Sequence, residues 1–406
     1  MSEHNVVIVG AGHAGGRAAE SLRSAGHKGP VVLVGAESHP PYERPPLSKE
    51  LLAGAIAVEK TYLRPLAYFS ENGIELRLGS EVVGIDRKAQ RITLKDGSTL
   101  PYDALLLTTG ARARRLPIPG GEGSRVLYLR DIDDSLRLRE VLQPGVKLAV
   151  IGAGFIGLEV AATAKKRGAE VTVLELAPQV LARVAPAEIA AHVAGLHAKN
   201  GVLVRTGVAV TAIEENADGV VLKTKDGESI AADLVAIGVG AMPNSELAAA
   251  AGITVQDGVV VDEFGRSSDP QIFAAGDVTK HFNPLVGRAI RLEAWQNAQN
   301  QAIAVAKIIA GADTPFAEVP WFWTDQFDMN LQTAGAPAGG ETLIWRGAPG
   351  DPGFTVFYLK DGKPVAATTI NNARDMRFAR MLIQRGQPVD PAALADKAVK
   401  LQDLAR

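Results

Sequence analysis

Three kinds of residue in this chain stand where chemistry could be done: glycine triplets at one fixed spacing, acids that follow them, and a lysine behind two prolines. Gly10, Gly12 and Gly15 lie in VVIVGAGHAGG, and Gly152, Gly154 and Gly157 repeat the spacing in LAVIGAGFIGL. Such a triplet suits a dinucleotide phosphate. The first glycine permits a tight turn, the second lets a pyrophosphate approach the backbone, the third lets helix pack on strand, and the helix N-terminus faces the negative charge. Each triplet is followed by an acid at the end of the next apolar run, Glu37 at 27 residues past Gly10 and Glu175 at 23 past Gly152. A carboxylate there can accept hydrogen bonds from an adenosine ribose. One triplet is a weak signal; two, each with its own strand, helix and acid, point to two dinucleotide folds in one chain.

Glu175 would repel a 2′-phosphate and no basic residue follows it closely, which favours NADH over NADPH. Arg183, eight residues on, reads either as a pyrophosphate or ribose contact or as a solvated surface residue. Lys49 follows Pro45, Pro46, Leu47 and Ser48, where the prolines stiffen the approach to a short helix; on residue type alone it is an exposed helix lysine. Glu159, two residues past Gly157, reads as a helix N-terminal acid favoured by the dipole. Trp321 and Trp323 alternate with Phe322, so they share one face of a strand, a pattern common in plain sheet core.

The elements that must position these residues follow the same repeat. Each triplet opens a strand, turn and helix, and each unit goes on to a polar KDG hairpin, at 95–97 and 225–227. After each hairpin comes an Asp, an apolar strand and a glycine turn: DALLLTTG at 103–110 and DLVAIGVG at 233–240. A third apolar run, SSDPQIFAAGD, has no counterpart in the middle unit, which suggests a first domain interrupted by a second. From about Pro320 the character changes to alternating strands and a final helical stretch, holding three of the four tryptophans, as in a small α+β domain.

Composition narrows the chemistry. At 406 residues the chain is long enough for two or three domains, and a net charge of -2 without a basic tract argues against nucleic acid or anionic membrane as partner. No apolar run reaches the roughly 18 residues of a membrane span, and MSEHN lacks a basic leader region, so the expectation is a cytoplasmic protein. There is no cysteine, which excludes disulfides, thiolate metal sites and a cysteine nucleophile; the seven histidines show no metal-ligand spacing.

The paired triplets, the PYERPPLSK segment, the SSDPQIFAAGD strand and the PWFWTDQF segment together resemble the FAD-dependent NADH:ferredoxin reductases of bacterial oxygenase systems, the putidaredoxin reductase-like and aromatic-dioxygenase reductase family. The resemblance covers essentially the whole chain. It implies an α/β fold of two Rossmann-like domains in a glutathione-reductase-like arrangement plus a C-terminal α+β interface domain. The FAD domain would comprise residues 1–115 and 245–318, the NADH domain 116–244 and the interface domain 319–406.

The same resemblance implies FAD at Gly10, Gly12, Ala14 and Gly15, with Ala36 and Glu37 at the adenosine ribose and Val82 near the adenine. Arg44, Lys49, Arg130, Asp277, Glu293 and Trp295 match further cofactor-side positions. Gly152, Gly154, Gly157, Glu159, Glu175 and Arg183 fall to NADH. Lys49 would face the flavin, Glu159 would lie near the nicotinamide and pair with Lys49, and Trp323 would lie on the electron path to a transiently docked 2Fe-2S ferredoxin. Asp277 would reach the ribityl chain, or cap a following helix; Trp295 would begin a helix aimed at the flavin, or pack in the core. The implied function is transfer of hydride from NADH to FAD and of single electrons to the ferredoxin. A rubredoxin reductase, a monodehydroascorbate-type reductase and an NADH-sensing flavoprotein are the alternatives. Oligomeric state is not encoded in any of these patterns.

Overall fold

A computed structural model of the chain describes residues 3–406. By internal contact it separates into a first unit (Met1–Arg44, Glu59–Arg112, Met242–Phe322) and a second (Pro45–Val58, Ala113–Ala241, Trp323–Arg406).

In the first unit, five short strands form one parallel sheet in the order Ile272–Ala274, Ala104–Leu107, Val6–Val9, Val31–Val34, Ile74–Arg77. The apolar runs that carried no alternation are the central strands, because a parallel sheet is covered on both faces. The period-two geometry divides their side chains. Val6, Ile8, Leu33 and Leu106 pack with Ala18, Leu22, Ala302 and Val305, from the helices His13–Ser24 and Trp295–Ile309. Val7, Val9, Leu105 and Leu107 pack on the other side with Ile92, Leu100 and Val259. The hairpin signal at 95–97 turns within a three-stranded antiparallel meander, Val82–Asp86, Arg91–Leu94 and Thr99–Pro101.

The second unit repeats the plan. Its parallel sheet runs Leu203–Thr206, Glu170–Glu175, Lys147–Ile151, Leu234–Ile237, Val126–Tyr128, and its meander is Val210–Glu215, Val220–Thr224 and Ser229–Ala232. The expectation that the strand before Asp277 lacks a counterpart here is corrected: Val126–Tyr128 occupies the same outer position beside Leu234–Ile237. It precedes its unit in the chain instead of following it, so sequence order concealed it.

The C-terminal segment forms a five-stranded sheet, ordered Trp321–Gln326, Met329–Gly335, Lys363–Ile370, Phe354–Lys360, Thr342–Arg346, with the helix Ala373–Arg385 after it. Its apolar face shares one core with the second dinucleotide fold, since Phe354, Val356, Leu331 and Ile370 cluster with Val150, Leu158, Ile189 and Val193. The segment 45–58 belongs with this second unit as well. Leu52 enters that core, Ser135 Oγ donates to Leu47 O at 2.7 Å, and Thr163 Oγ1 donates to Ser48 O at 2.7 Å. Among the described residues no helix is long and apolar enough to cross a membrane.

Candidate active site

The first turn is shaped as the triplet requires. Gly10 has φ +113°, and a Cβ there would lie 2.3 Å from Thr108 O; a Cβ on Gly15 would lie 2.0 Å from Gly10 O. Any side chain at these positions would push strand and helix apart. Gly12 differs: a Cβ there would meet only Arg44 Nη2, at 3.9 Å. It is the N-cap of His13–Ser24 and has no side-chain cap, so the helix end and its positive dipole face open space beside a guanidinium. An anionic pyrophosphate fits that donor set.

Arg44 is held in place by Glu37, at 2.9 Å, and by Tyr42 Oη, at 3.0 Å, while Tyr42 donates to Glu37 at 2.6 Å. Burial opposes its charge, but Tyr42, Glu37 and Asp277 more than offset this and its pKa lies above the ordinary value. Ala14 is buried in the first turn of the helix, and a Cβ on Gly276 would lie 3.1 Å from the Ala14 Cβ, so the strand end that carries Asp277 meets this helix. Asp277 caps no following helix, because the chain continues into the strand Thr279–Asn283. Trp295 is the first residue of Trp295–Ile309, and its ring lies 5.2 Å from that of His13, the first residue of the other helix. Gly12, Ala14, Arg44, Asp277 and Trp295 are thereby brought together. Ala36 is exposed past the strand Val31–Val34. Val82 packs partly buried against the Ile92 cluster. Glu293 is exposed and paired with Arg291.

The second turn repeats the backbone geometry. Gly152 has φ +100°, a Cβ on it would lie 2.5 Å from Gly238 O, and a Cβ on Gly157 would lie 2.1 Å from Gly152 O. A Cβ on Gly154 would meet nothing within 4 Å, and this N-cap of Phe155–Lys166 also has no side-chain cap. Glu175 closes on its own turn: its carboxylate accepts from Ala153 N–H at 2.6 Å and Ala177 N–H at 2.8 Å. Arg183 is exposed, and its guanidinium reaches to 3.7 Å from where a Gly240 Cβ would stand, at the same end of the sheet. Arg130 follows the strand Val126–Tyr128, and its backbone N–H donates to Asp134 at 2.8 Å.

Within the second unit, Lys49 Nζ stands 2.9 Å from Glu159 Oε1, with 13% and 4% of the two side chains exposed. Two hydroxyls complete the acceptor: Ser48 Oγ donates to Oε2 at 2.5 Å and Thr324 Oγ1 to Oε1 at 2.7 Å. One ammonium and two hydroxyls thus converge on the two oxygens of this carboxylate. The sequence patterns assign no role to Ser48 or Thr324. The first was signalled by its place beside Lys49; the second adjoins Trp323, but nothing in its type marks the contact. Trp323 is partly buried, and its indole N–H donates to Asp325 at 3.0 Å.

Two dinucleotide turns, each joined to a five-stranded parallel sheet, and a buried lysine–carboxylate pair define an oxidoreductase working with two nucleotide cofactors. Residues 4–302 match the pyridine nucleotide-disulphide oxidoreductase family and 321–405 the reductase C-terminal family. The chain is similar to the ferredoxin–NAD(+) reductase component of the anthranilate 1,2-dioxygenase system of Burkholderia cepacia, at 45% identity over 99% of each chain. It is also similar to putidaredoxin reductase of Pseudomonas putida, at 40% identity over 98% of this chain and 96% of the other. Among solved structures it superposes on the putidaredoxin reductase–putidaredoxin complex with a TM-score of 0.96, at 39% identity over 100% and 98%. On the ferredoxin reductase for the CYP199A2 system from Rhodopseudomonas palustris the TM-score is 0.95, at 40% identity over 99% and 100%. The chain belongs to the pyridine nucleotide-disulphide oxidoreductases and, within them, to the ferredoxin–NAD(+) reductases of oxygenase systems. Its cofactors are FAD and NADH. The disulphide in the family name has no counterpart here, because the chain contains no cysteine.

Proposed function

We propose that this enzyme takes hydride from NADH and delivers electrons singly to a 2Fe-2S ferredoxin, which supplies a cytochrome monooxygenase or a ring-hydroxylating dioxygenase. The observation that carries this reading is two dinucleotide turns in a chain of 406 residues without a cysteine. No thiol can relay an electron pair as a disulfide, so the acceptor must draw on the flavin itself. The names of the relatives, reductase components of oxygenase systems and partners of putidaredoxin, support the same acceptor class.

FAD, when bound, supplies the conversion of an electron pair into single electrons that side chains lack. The remaining work falls to this chain. In this reading residues 1–115 and 245–318 carry FAD, 116–244 carry NADH and 319–406 form the interface domain. Backbone N–H groups at Gly12, Ala14 and Gly15 with Arg44 hold the FAD pyrophosphate; Glu37, Ala36 and Val82 hold its adenosine; Asp277, Glu293, Arg130 and Trp295 complete its binding positions. The turn at Gly152, Gly154 and Gly157, with Glu175 and Arg183, receives NADH and discriminates against a 2′-phosphate. Lys49 supplies a fixed positive charge beside the reduced flavin, and Glu159 holds Lys49 and the nicotinamide in register, a positioning role that needs no proton transfer. Trp323 shortens the path to the docked ferredoxin, whose contact is small and short-lived. The reaction runs in the cytoplasm.

The test is anaerobic addition of NADH to the purified yellow protein, followed by a 2Fe-2S ferredoxin from the same source with cytochrome c as final acceptor. Cytochrome c reduction that requires ferredoxin, with NADPH a poor donor, is the expected result. Bleaching of the flavin without any ferredoxin effect would replace this reading with a small-molecule acceptor.

A further inference from the structure

The carboxylate of Glu159 is the end of a longer buried chain. Thr324 Oγ1, which donates to Glu159, itself accepts from Gln326 Nε2 at 3.1 Å, and Gln326 Oε1 lies 2.8 Å from His197 Nε2. Each member is nearly sealed from solvent: Thr324 and His197 are 0% exposed, Gln326 1% and Glu159 4%. The directions lock one another. A carboxylate can only accept, so Thr324 must donate to it; the hydroxyl proton being used there, Gln326 must present its NH2 to Thr324 and its carbonyl to His197; His197 must then be the Nε2–H tautomer. Burial holds the His197 pKa below its ordinary value, which keeps the ring neutral and able to serve as a single-proton donor. Nδ1, the other ring nitrogen, has no hydrogen-bond partner, so nothing competes for the opposite tautomer.

We propose that His197, Gln326 and Thr324 form a one-directional hydrogen-bond relay that positions Glu159, tying the strand Trp321–Gln326 and the helix Ala187–Lys199 to the Lys49–Glu159 pair. Three positioning residues thus stand behind the acid, none of which touches a reacting atom. The inference rests on the reading that this pair attends the hydride step. Its physical content is that a carboxylate with one salt bridge and one hydroxyl could swing, whereas a third donor, itself fixed from behind, selects a single rotamer. Along this chain each donor meets one acceptor in a single sense, which is how a buried polar network fixes its members.

Two measurements test it. In the wild-type holoenzyme, ¹⁵N spectra of His197 should show the Nε2–H tautomer; an Nδ1–H tautomer would overturn the relay, because Gln326 would then face the other way and Thr324 could not donate to Glu159. In stopped-flow, Thr324→Val should slow flavin reduction by NADH by about tenfold, the size of a lost charge-assisted hydrogen bond. The KM for NADH should hold and the flavin midpoint potential should fall, while Thr324→Ser should restore both rate and potential. Gln326→Leu should reproduce the Thr324→Val effect with its thermal midpoint reported alongside, and unchanged rates in both variants would overturn the proposal. Glu159→Gln separates the two readings: if it leaves flavin reduction unchanged, the role of the pair is wrong; if it slows reduction while Thr324→Val does not, only the relay is wrong.

Discussion

The two dinucleotide turns share a glycine spacing and a strand-end acid, yet what surrounds them differs. In the first, Glu37 pairs with Arg44 and accepts from Tyr42, and the Arg44 guanidinium stands beside Gly12. In the second, Glu175 folds back onto the N–H of Ala153, and nothing approaches Gly154. A phosphate at the first turn meets a helix end and a fixed cation. At the second no cation stands beside the middle glycine, and Arg183 at the same end of the sheet is exposed. The first arrangement suits a cofactor that stays, the second a dinucleotide that arrives, reacts and leaves.

The largest effects that can break this comparison come from the third glycines. Gly15→Ala places a Cβ 2.0 Å from Gly10 O, and Gly157→Ala one 2.1 Å from Gly152 O. The first variant should purify without the yellow flavin band. The second should keep the band yet resist bleaching by NADH while dithionite still bleaches it. Loss of flavin from both would show that the turns are not separately assigned. Next comes Arg44→Met, which removes charge-assisted hydrogen bonds worth about 1.5–3 kcal/mol and should weaken FAD binding by roughly 10- to 100-fold, measured by titrating FAD into stripped protein. Arg183→Met, at an exposed position, should leave FAD binding untouched and change the NADH KM by less than about fivefold. Glu175→Ala should shift it more than Arg183→Met does: a KM for NADH raised about tenfold, about 1.4 kcal/mol, with the preference over NADPH narrowed in steady-state assays. An unchanged preference would mean that Glu175 serves only its own turn.

What the sequence disclosed, and what it did not, follows the same physics. Spacing rules are local, so the triplets, the acids and the KDG hairpins were all legible: they depend on φ, on strand length and on helix entry within some thirty residues. The outer strand Val126–Tyr128 was missed because a parallel sheet accepts strands in any chain order. Residues 45–58 pack with the second unit through Leu52 and through hydrogen bonds from Ser135 and Thr163, contacts made across 88 and 115 residues of chain. Thr324 donates to Glu159 across 165 residues. No period or propensity encodes such a meeting. The Lys49–Glu159 pair came within reach only through resemblance, since a proline-flanked lysine and a helix acid are each ordinary alone.

The last expected effect concerns acid. His13 and His281, both in the first unit, are buried, and burial is the leading cause that lowers their pKa values from 6.5 to about 3 and about 4. Above 6.5 neither the folded nor the unfolded chain protonates them, so they add no pH dependence there. Below 6.5 the unfolded chain gains their protons first, and the folded chain follows only near pH 4 for His281 and near pH 3 for His13. Stability should therefore decline as pH falls through this window, by up to about 1.4 kcal/mol per pH unit for each histidine. The thermal midpoint should be level near neutrality and fall progressively from 6.5 toward 4, with flavin release marking failure of the first unit. His281→Gln should lose about one proton's share of that slope, because Gln301 and Phe316, its neighbours, do not titrate in its place. A wild-type midpoint that stays flat over the same window would show that these imidazoles take up protons without unfolding.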